Sequence, residues 1–221
     1  MSCKVLGFLV SGLLFLALQA WTDACSCGPS HPQHVYCQSH VVIKGKIISS
    51  KLVGRGNSTD PSGFQWIQYE VQQLKMFKGS EKVERVEYVY TPQADFVCGF
   101  VLEADQLNKD YVLSGNVETD GKIYVNICGF NKLWSQLTSS QRAGLAGNYE
   151  AGCQCKIVPC LSLPCSISAD NQCLWTDGII DGNWAGSQSR RCGCSMKSSG
   201  LCQWEFYKRP RTPAVTRDGN Q

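Results

Sequence analysis

The chain has 221 residues, 43% of them hydrophobic and 18% charged, and its formal net charge is +3. A balance so close to neutral excludes the strongly basic footprint of a nucleic-acid-binding protein. Fourteen cysteines dominate the composition, and their meaning depends on the compartment the chain enters.

Residues 1–24 read as a secretory signal peptide. Lys4 supplies a positive start, 5–20 is almost wholly apolar, and Thr22 and Ala24 place small residues three places and one place before a cut after Ala24. The apolar run is shorter than the roughly 20 residues a spanning helix needs, which weighs against an uncleaved anchor. No later segment is apolar enough to span, so a soluble chain secreted to the extracellular space or matrix is expected. Cleavage makes Cys25 the first residue and leaves 13 cysteines. In an oxidising route that density reads as a disulfide framework rather than a zinc module, and the odd count leaves one thiol over.

The cysteines divide the mature chain into two expected domains. Residues 25–153 carry Cys25, Cys27, Cys37, Cys98, Cys128 and Cys153 and are long enough for a true core. Residues 154–221 carry seven more between Cys155 and Cys202 and need their bridges as staples.

In chain order, a helix is expected at 33–39 after Pro32, and a Val- and Ile-rich strand at 41–50. Residues 54–63 form a polar loop with the glycosylation sequon Asn57-Ser58-Thr59. Strands follow at 65–76, 85–91, 111–117 and 122–128, with turn signals such as Asp120-Gly121 between them. A second helix is expected at 141–149, capped by one of Thr138, Ser139 or Ser140 and weakened by Gly144 and Gly147. Five short strands without long helices between them predict a mainly β fold closing as a small barrel. Residues 209–221 look frayed. Acidic and basic side chains balance at twelve each over 25–153; the basic excess sits at Arg190-Arg191 and Lys208-Arg209-Pro210-Arg211. It reads as a solvated tail, with attraction to sulfated matrix glycans as the functional alternative.

No His-Glu-x-x-His, Gly-x-Ser-x-Gly or phosphate-loop pattern is present. His31, His34 and His40 lie close together and, with Cys25 and Cys27, contain zinc-ligand types. Oxidised cysteines and a helix running between the histidines weigh against such a site, and a hydrolytic Cys25 would need a free thiol. What stands out is Cys25-Ser26-Cys27-Gly28-Pro29 at a freshly made terminus. Chain ends normally fray, so an end clamped by two bridges suggests use. A free α-amine beside its own carbonyl is a bidentate metal ligand, and with a pKa near ~8 it is partly neutral at physiological pH.

At these residues the chain resembles the tissue inhibitors of metalloproteinases. The family signature Cys-x-Cys-x-Pro is Cys25 to Pro29 here, followed by His31-Pro32-Gln33. Further matches are Val42-Ile43-Lys44-Gly45-Lys46, Gln68-Tyr69-Glu70, Lys75-Met76-Phe77-Lys78-Gly79, Val97-Cys98-Gly99 and Cys173-Leu174-Trp175-Thr176-Asp177. The resemblance spans 25–204. It implies a five-stranded OB-type barrel with flanking helices, the netrin-like inhibitory domain, followed by a small disulfide-rich domain. It also implies the bridges Cys25–Cys98, Cys27–Cys128, Cys37–Cys153, Cys155–Cys202, Cys160–Cys165 and Cys173–Cys194, with Cys192 left as the odd thiol, open to dimerisation or scrambled pairing.

The implied activity is inhibition of matrix metalloproteinases and related zinc endopeptidases, with no enzymatic activity and no cofactor of its own. The Cys25 amine and carbonyl would bind the protease's zinc, and Ser26 would enter its specificity pocket. Cys27, Gly28 and Pro29 would extend along the cleft, and Phe96, Val97, Cys98 and Gly99 would fill its other side. Gly28 and Gly45 replace residues that bear side chains in the family, and the basic tail departs from the acidic tail with which some members dock gelatinase zymogens. A non-inhibitory netrin-like matrix or receptor-binding module is the alternative, separated from inhibition by the need for a free Cys25 amine.

Overall fold

The computed structural model describes residues 25–54 and 65–207. The expected signal peptide (1–24), the sequon at Asn57 and the basic tail from Lys208 lie outside the described residues.

Pro32 starts the first helix, α1 (Pro32–Gln38), where its fixed φ and missing N–H cost nothing, and the His31 ring nitrogen caps it by accepting from the Gln33 amide at 3.2 Å. Two 13-residue strands follow, β1 (Val41–Val53) and β2 (Trp66–Lys78), each longer than expected. Then come β3 (Tyr88–Pro92), β4 (Asp110–Val117) and two two-residue strands, β5 (Ile123–Tyr124) and β6 (Lys132–Leu133).

The pairings run β1-β2-β3-β5-β4, and β4 returns to β1, so five strands close a ring; β6 lies against β4. Closure demands curvature. It comes from three register shifts in the β1–β2 ladder, at Val42/Ile43, Lys44/Gly45 and Ile47/Ser49. They bend β1 so that 41–46 also pairs with β4 while its far half stays with β2. Val41, Ile43 and Ile47 point into the ring with Tyr69, Val89 and Leu113. Val42 and Val112 face the opposite way, into a second cluster with Tyr36, Leu145 and Tyr149. Burial on both faces explains why 41–43 reads as an unbroken apolar run instead of an alternating one.

The strand expected over 122–128 stops at Tyr124: Val125 N–H still reaches the Tyr90 carbonyl of β3, but Ile127 N–H turns to the Cys98 carbonyl and Cys128 N–H to the Asn126 side chain, so the ladder is not continued. The expected strand over 85–91 begins only at Tyr88, since the Val86 amide is taken by the Gln73 side chain at 2.8 Å. The second helix begins earlier than expected, at α2 (Ser139–Ala143), with Thr138 and Gln141 in a reciprocal capping box. It passes through a π-type turn (Gly144–Asn148), in which Gly147 has φ +136°, into α3 (Tyr149–Ala151).

Beyond Cys155, a parallel pair β7 (Lys156–Pro159) and β8 (Gln172–Trp175), two short helices α4 (Asp177–Ile180) and α5 (Ser187–Arg191), and a hairpin β9 (Cys192–Met196) and β10 (Cys202–Phe206) surround a small core. That core is Cys155, Ile157, Cys173, Trp175, Cys194 and Cys202. Buried Asp177 organises its polar side, accepting from Trp175 Nε1 and from the Gln188 and Ser189 amides at 2.8–2.9 Å.

α1 bolts the two regions together. The Gln33 amide group donates to the carbonyls of Gly152 (3.0 Å) and Cys194 (2.7 Å) and accepts from Cys194 N–H (2.7 Å), all buried. His31, 1% exposed, packs its ring against Trp175 and Trp204 and donates from Nε2 to the Gln188 carbonyl. Thr138, Ser140 and Gln141 add bonds to the Arg190, Tyr207 and Ser189 carbonyls.

Candidate functional site

Six disulfides join Cys25 to Cys98, Cys27 to Cys128, Cys37 to Cys153, Cys155 to Cys202, Cys160 to Cys165 and Cys173 to Cys194. Among the described residues Cys192 alone is free, and it is buried. Burial pushes its thiol up to about 11, so the group is a poor nucleophile and is shielded from a second chain.

The first two bridges make the site. Residues 26–30 are exposed and have no regular structure, yet the segment is tied at both Cys25 and Cys27. The sulfurs of Cys25, Cys27, Cys98 and Cys128 all lie within 4.8 Å of one another. Both cystines therefore stand side by side on one corner of the ring. Their sulfurs are spent in S–S bonds, so this cluster is not a thiolate metal site.

Local sequence explains how the two anchors reach that corner. After β3, Val97 and Gly99 both donate to the Ala94 carbonyl around a 3-10 turn (Asp95–Val97), and Cys98 takes a left-handed φ of 62°. That conformation is strained for a residue with a side chain. Gly99 must follow it, because a Cβ there would run into the carbonyl oxygens of Pro92 and Ala94. The Phe100 amide then donates to the buried Thr91 hydroxyl at 2.7 Å. Ile127 N–H donates to the Cys98 carbonyl at 3.0 Å, which joins the two anchor loops directly.

Segment 25–29 and segment 96–99 thus come together through Cys25–Cys98. Phe96 is 56% exposed and Ile127 45%, leaving apolar surface beside the bridges. A Cβ built on Gly28 meets nothing within 4 Å. The turn from Asn126 to Asn131 belongs to the same corner. Sequence reasoning missed it, apart from Cys128, because two asparagines in a loop carry no periodic signal.

The three histidines do not converge. His31 caps α1 and is buried between tryptophans, which pushes it down to about 4, neutral at physiological pH. His34 is half-buried, and burial with the nearby Lys156 lowers it too. His40 Nδ1 accepts from the Val117 amide at 3.1 Å.

A mainly β, cystine-stapled body presents one exposed segment tied at two points, the build of a recognition protein. Comparison with known proteins says which kind. The family model described as tissue inhibitor of metalloproteinase matches residues 23–204. Metalloproteinase inhibitor 2 of Homo sapiens is 41% identical over 197 residues, covering 89% of this chain and 88% of that protein. Metalloproteinase inhibitor 4 of Mus musculus is 42% identical over 183 residues, covering 82% and 80%. Metalloproteinase inhibitor 3 of Scyliorhinus torazame is 37% identical over 209 residues, covering 95% and 92%. The chain belongs to the tissue inhibitor of metalloproteinase family, a family of inhibitors and not of enzymes.

Proposed function

We propose that this chain is a secreted inhibitor of zinc matrix metalloproteinases and acts through the backbone end of Cys25. The observation that carries the proposal is the segment 25–29, exposed from Ser26 onward and held at two points by adjacent cystines. Once residues 1–24 are removed, the Cys25 amine and carbonyl form a five-membered chelate on the protease's zinc and take the place of the water that attacks peptides. Ser26 enters the specificity pocket, Gly28 and Pro29 follow the cleft, and 96–99 lines its other side. No scissile bond is presented, because the inhibitor begins at the metal. The ordering cost of the segment is met at folding, which raises affinity at docking.

In this reading the ring is an OB-type barrel and 25–153 is the inhibitory domain. Residues 154–221 form a separate cystine-stapled domain, and Asn57 carries a glycan in the secreted form. Attraction of the basic tail to sulfated matrix glycans is a secondary property of that second domain.

The test is the terminus. One alanine added before Cys25, or acetylation of its amine, removes the chelating amine while leaving every bridge in place. Titration of a matrix metalloproteinase catalytic domain then shows at least about a hundredfold loss, since a ligand is worth no less than the roughly 10–100-fold that its outer-shell partners contribute. Full-strength inhibition by the extended chain would refute zinc chelation. Protons compete with zinc for the amine, so inhibition weakens from pH 8 to 5.5 after correction for the protease's own titration. Ser26→Arg overfills the pocket and shifts the ranking among proteases; unchanged constants across a panel would remove Ser26 from that role.

A further inference from the structure

The turn between β5 and β6 carries Cys128, and so one of the two anchors of segment 25–29. Asn126 and Ile127 are exposed within it. Loops of this kind yield easily unless something ties them down. Here a polar splint anchored on buried Ser114 does so.

The β4–β6 ladder has only two steps, Tyr111↔Leu133 and Val112↔Lys132. The next free donor on that side of β4 is the Ser114 amide. The Asn131 side chain takes it, with Oδ1 accepting at 2.7 Å. A backbone N–H requires the oxygen to face it, which fixes the amide's orientation. Nδ2 therefore points the other way and donates to the Asn126 carbonyl at 2.7 Å. Asn126 closes the turn by accepting Cys128 N–H on its own side chain at 3.0 Å. The Ser114 hydroxyl, on a residue 3% exposed, accepts the Phe130 amide at 2.7 Å.

Gly129 is fitted to the splint. A Cβ there would lie 2.5 Å from Asn131 Nδ2 and 2.9 Å from Ser114 Oγ. A side chain at 129 would push the Asn131 amide off its partner.

We infer that Asn131 is a positioning residue for the inhibitory segment: with Ser114 and Gly129 it fixes the turn that carries Cys128 and, through the Cys27 bridge, stiffens residues 25–29. The inference rests on reading that segment as the inhibitory surface. Asn131 touches no part of the target. It acts on the order of the segment before docking, so its effect falls on dissociation more than on encounter.

The test uses the full secreted chain with all six bridges, as Asn131→Ala, Asn131→Asp and Gly129→Ala. Asn131→Asp keeps the acceptor for Ser114 but sets a carboxylate oxygen against the Asn126 carbonyl, so it reverses the bond to the turn while sparing the one to β4. Two readouts are needed: dissociation from a matrix metalloproteinase catalytic domain, and backbone amide order parameters at Ser26, Gly28 and Ile127. The expected result is dissociation about tenfold faster for Asn131→Ala, the worth of one hydrogen bond. Asn131→Asp and Gly129→Ala shift the same way, and order falls at Ser26 and Gly28 in all three.

A lowered melting temperature with unchanged dissociation and unchanged order at Ser26 and Gly28 would reduce Asn131 to a fold-stabilising residue and overturn the inference. The order parameters also separate this idea from the reading beneath it. If the parent chain fails to inhibit while Asn131→Ala still loosens Ser26 and Gly28, positioning stands and the inhibitory reading falls.

Discussion

The two regions use the same cross-link for opposite purposes. In the first, up to Cys153, none of the six half-cystines is buried, and the interior is built from Val, Ile, Leu, Tyr and Phe. Its bridges span 73, 101 and 116 residues; the first two lie outside that interior and the third, Cys37–Cys153, packs against its edge. In the second, five of the six half-cystines are buried, and Cys155, Cys173, Cys194 and Cys202 are most of the core. A segment of about 50 residues has too little apolar side chain to close a core alone, so sulfur fills it. The first region could shed a surface bridge and keep its interior. The second could not shed a buried one without opening a cavity.

Deleting one bridge from each region tests that contrast most strongly. Replacing Cys27 and Cys128 by alanine removes a long loop constraint, about 4–5 kcal/mol in the chain-entropy model. Replacing Cys173 and Cys194 removes a shorter one, about 3 kcal/mol, and adds a cavity penalty of about 2 kcal/mol. Urea unfolding should show similar losses. Protease titration should not: inhibition disappears with the surface pair and survives loss of the buried pair. Persistent inhibition without Cys27–Cys128 would mean the double clamp is dispensable.

Acid tests the joint between the regions. His31 is neutral in the native chain, held at about 4 by burial against the opposing pull of the Gln188 carbonyl and Asp177, with His34 also nearby. In the unfolded chain it titrates near its ordinary 6.5. Unfolding therefore takes up a proton between these values. The contribution is complete above about pH 7 and is lost as pH falls towards 4, at most about 3 kcal/mol. Tryptophan fluorescence during urea unfolding at pH 8, 6 and 4.5 measures it, since Trp175 and Trp204 contact the ring. The slope should shrink by that amount in His31→Asn, which keeps a capping oxygen, with the lowered His34 supplying what remains.

Gln33→Ala removes the three buried bonds to Gly152 and Cys194 and strands the Cys194 amide. About 2 kcal/mol is expected, read as faster hydrogen exchange across β9. The smallest effect concerns Cys192. A thiol reagent should label it only on unfolding, and non-reducing gels should show no linked dimer. Rapid labelling of the native chain would place that thiol at the surface.

Much of the first region was legible in the sequence. Four strands were placed to within a few residues because their apolar pattern is strong, and Pro32 marked the first helix. The failures are physical. The 122–128 segment alternates like a strand, but after Val125 its donors go to the Cys98 carbonyl and the Asn126 side chain instead of to β3. Two-residue β6 is too short to leave a pattern. The terminus drew attention through Cys25 and Cys27, which chemistry makes conspicuous. The splint behind it did not, because Ser114 and Asn131 become partners only when β4 and the turn after β5 meet. The joint was equally hidden: His31 read as a zinc-ligand type and Gln33 as the start of a helix, and their partners lie more than 100 positions away.

The empty space around Gly28 has a use of its own. Its backbone runs between the Cys27 bridge and the start of α1, so a new side chain there would project outward without asking the body to repack. Randomising position 28 alone should yield a library in which every member folds alike and differs only in which protease it prefers. That would separate selectivity from stability, two traits that mutation usually changes together.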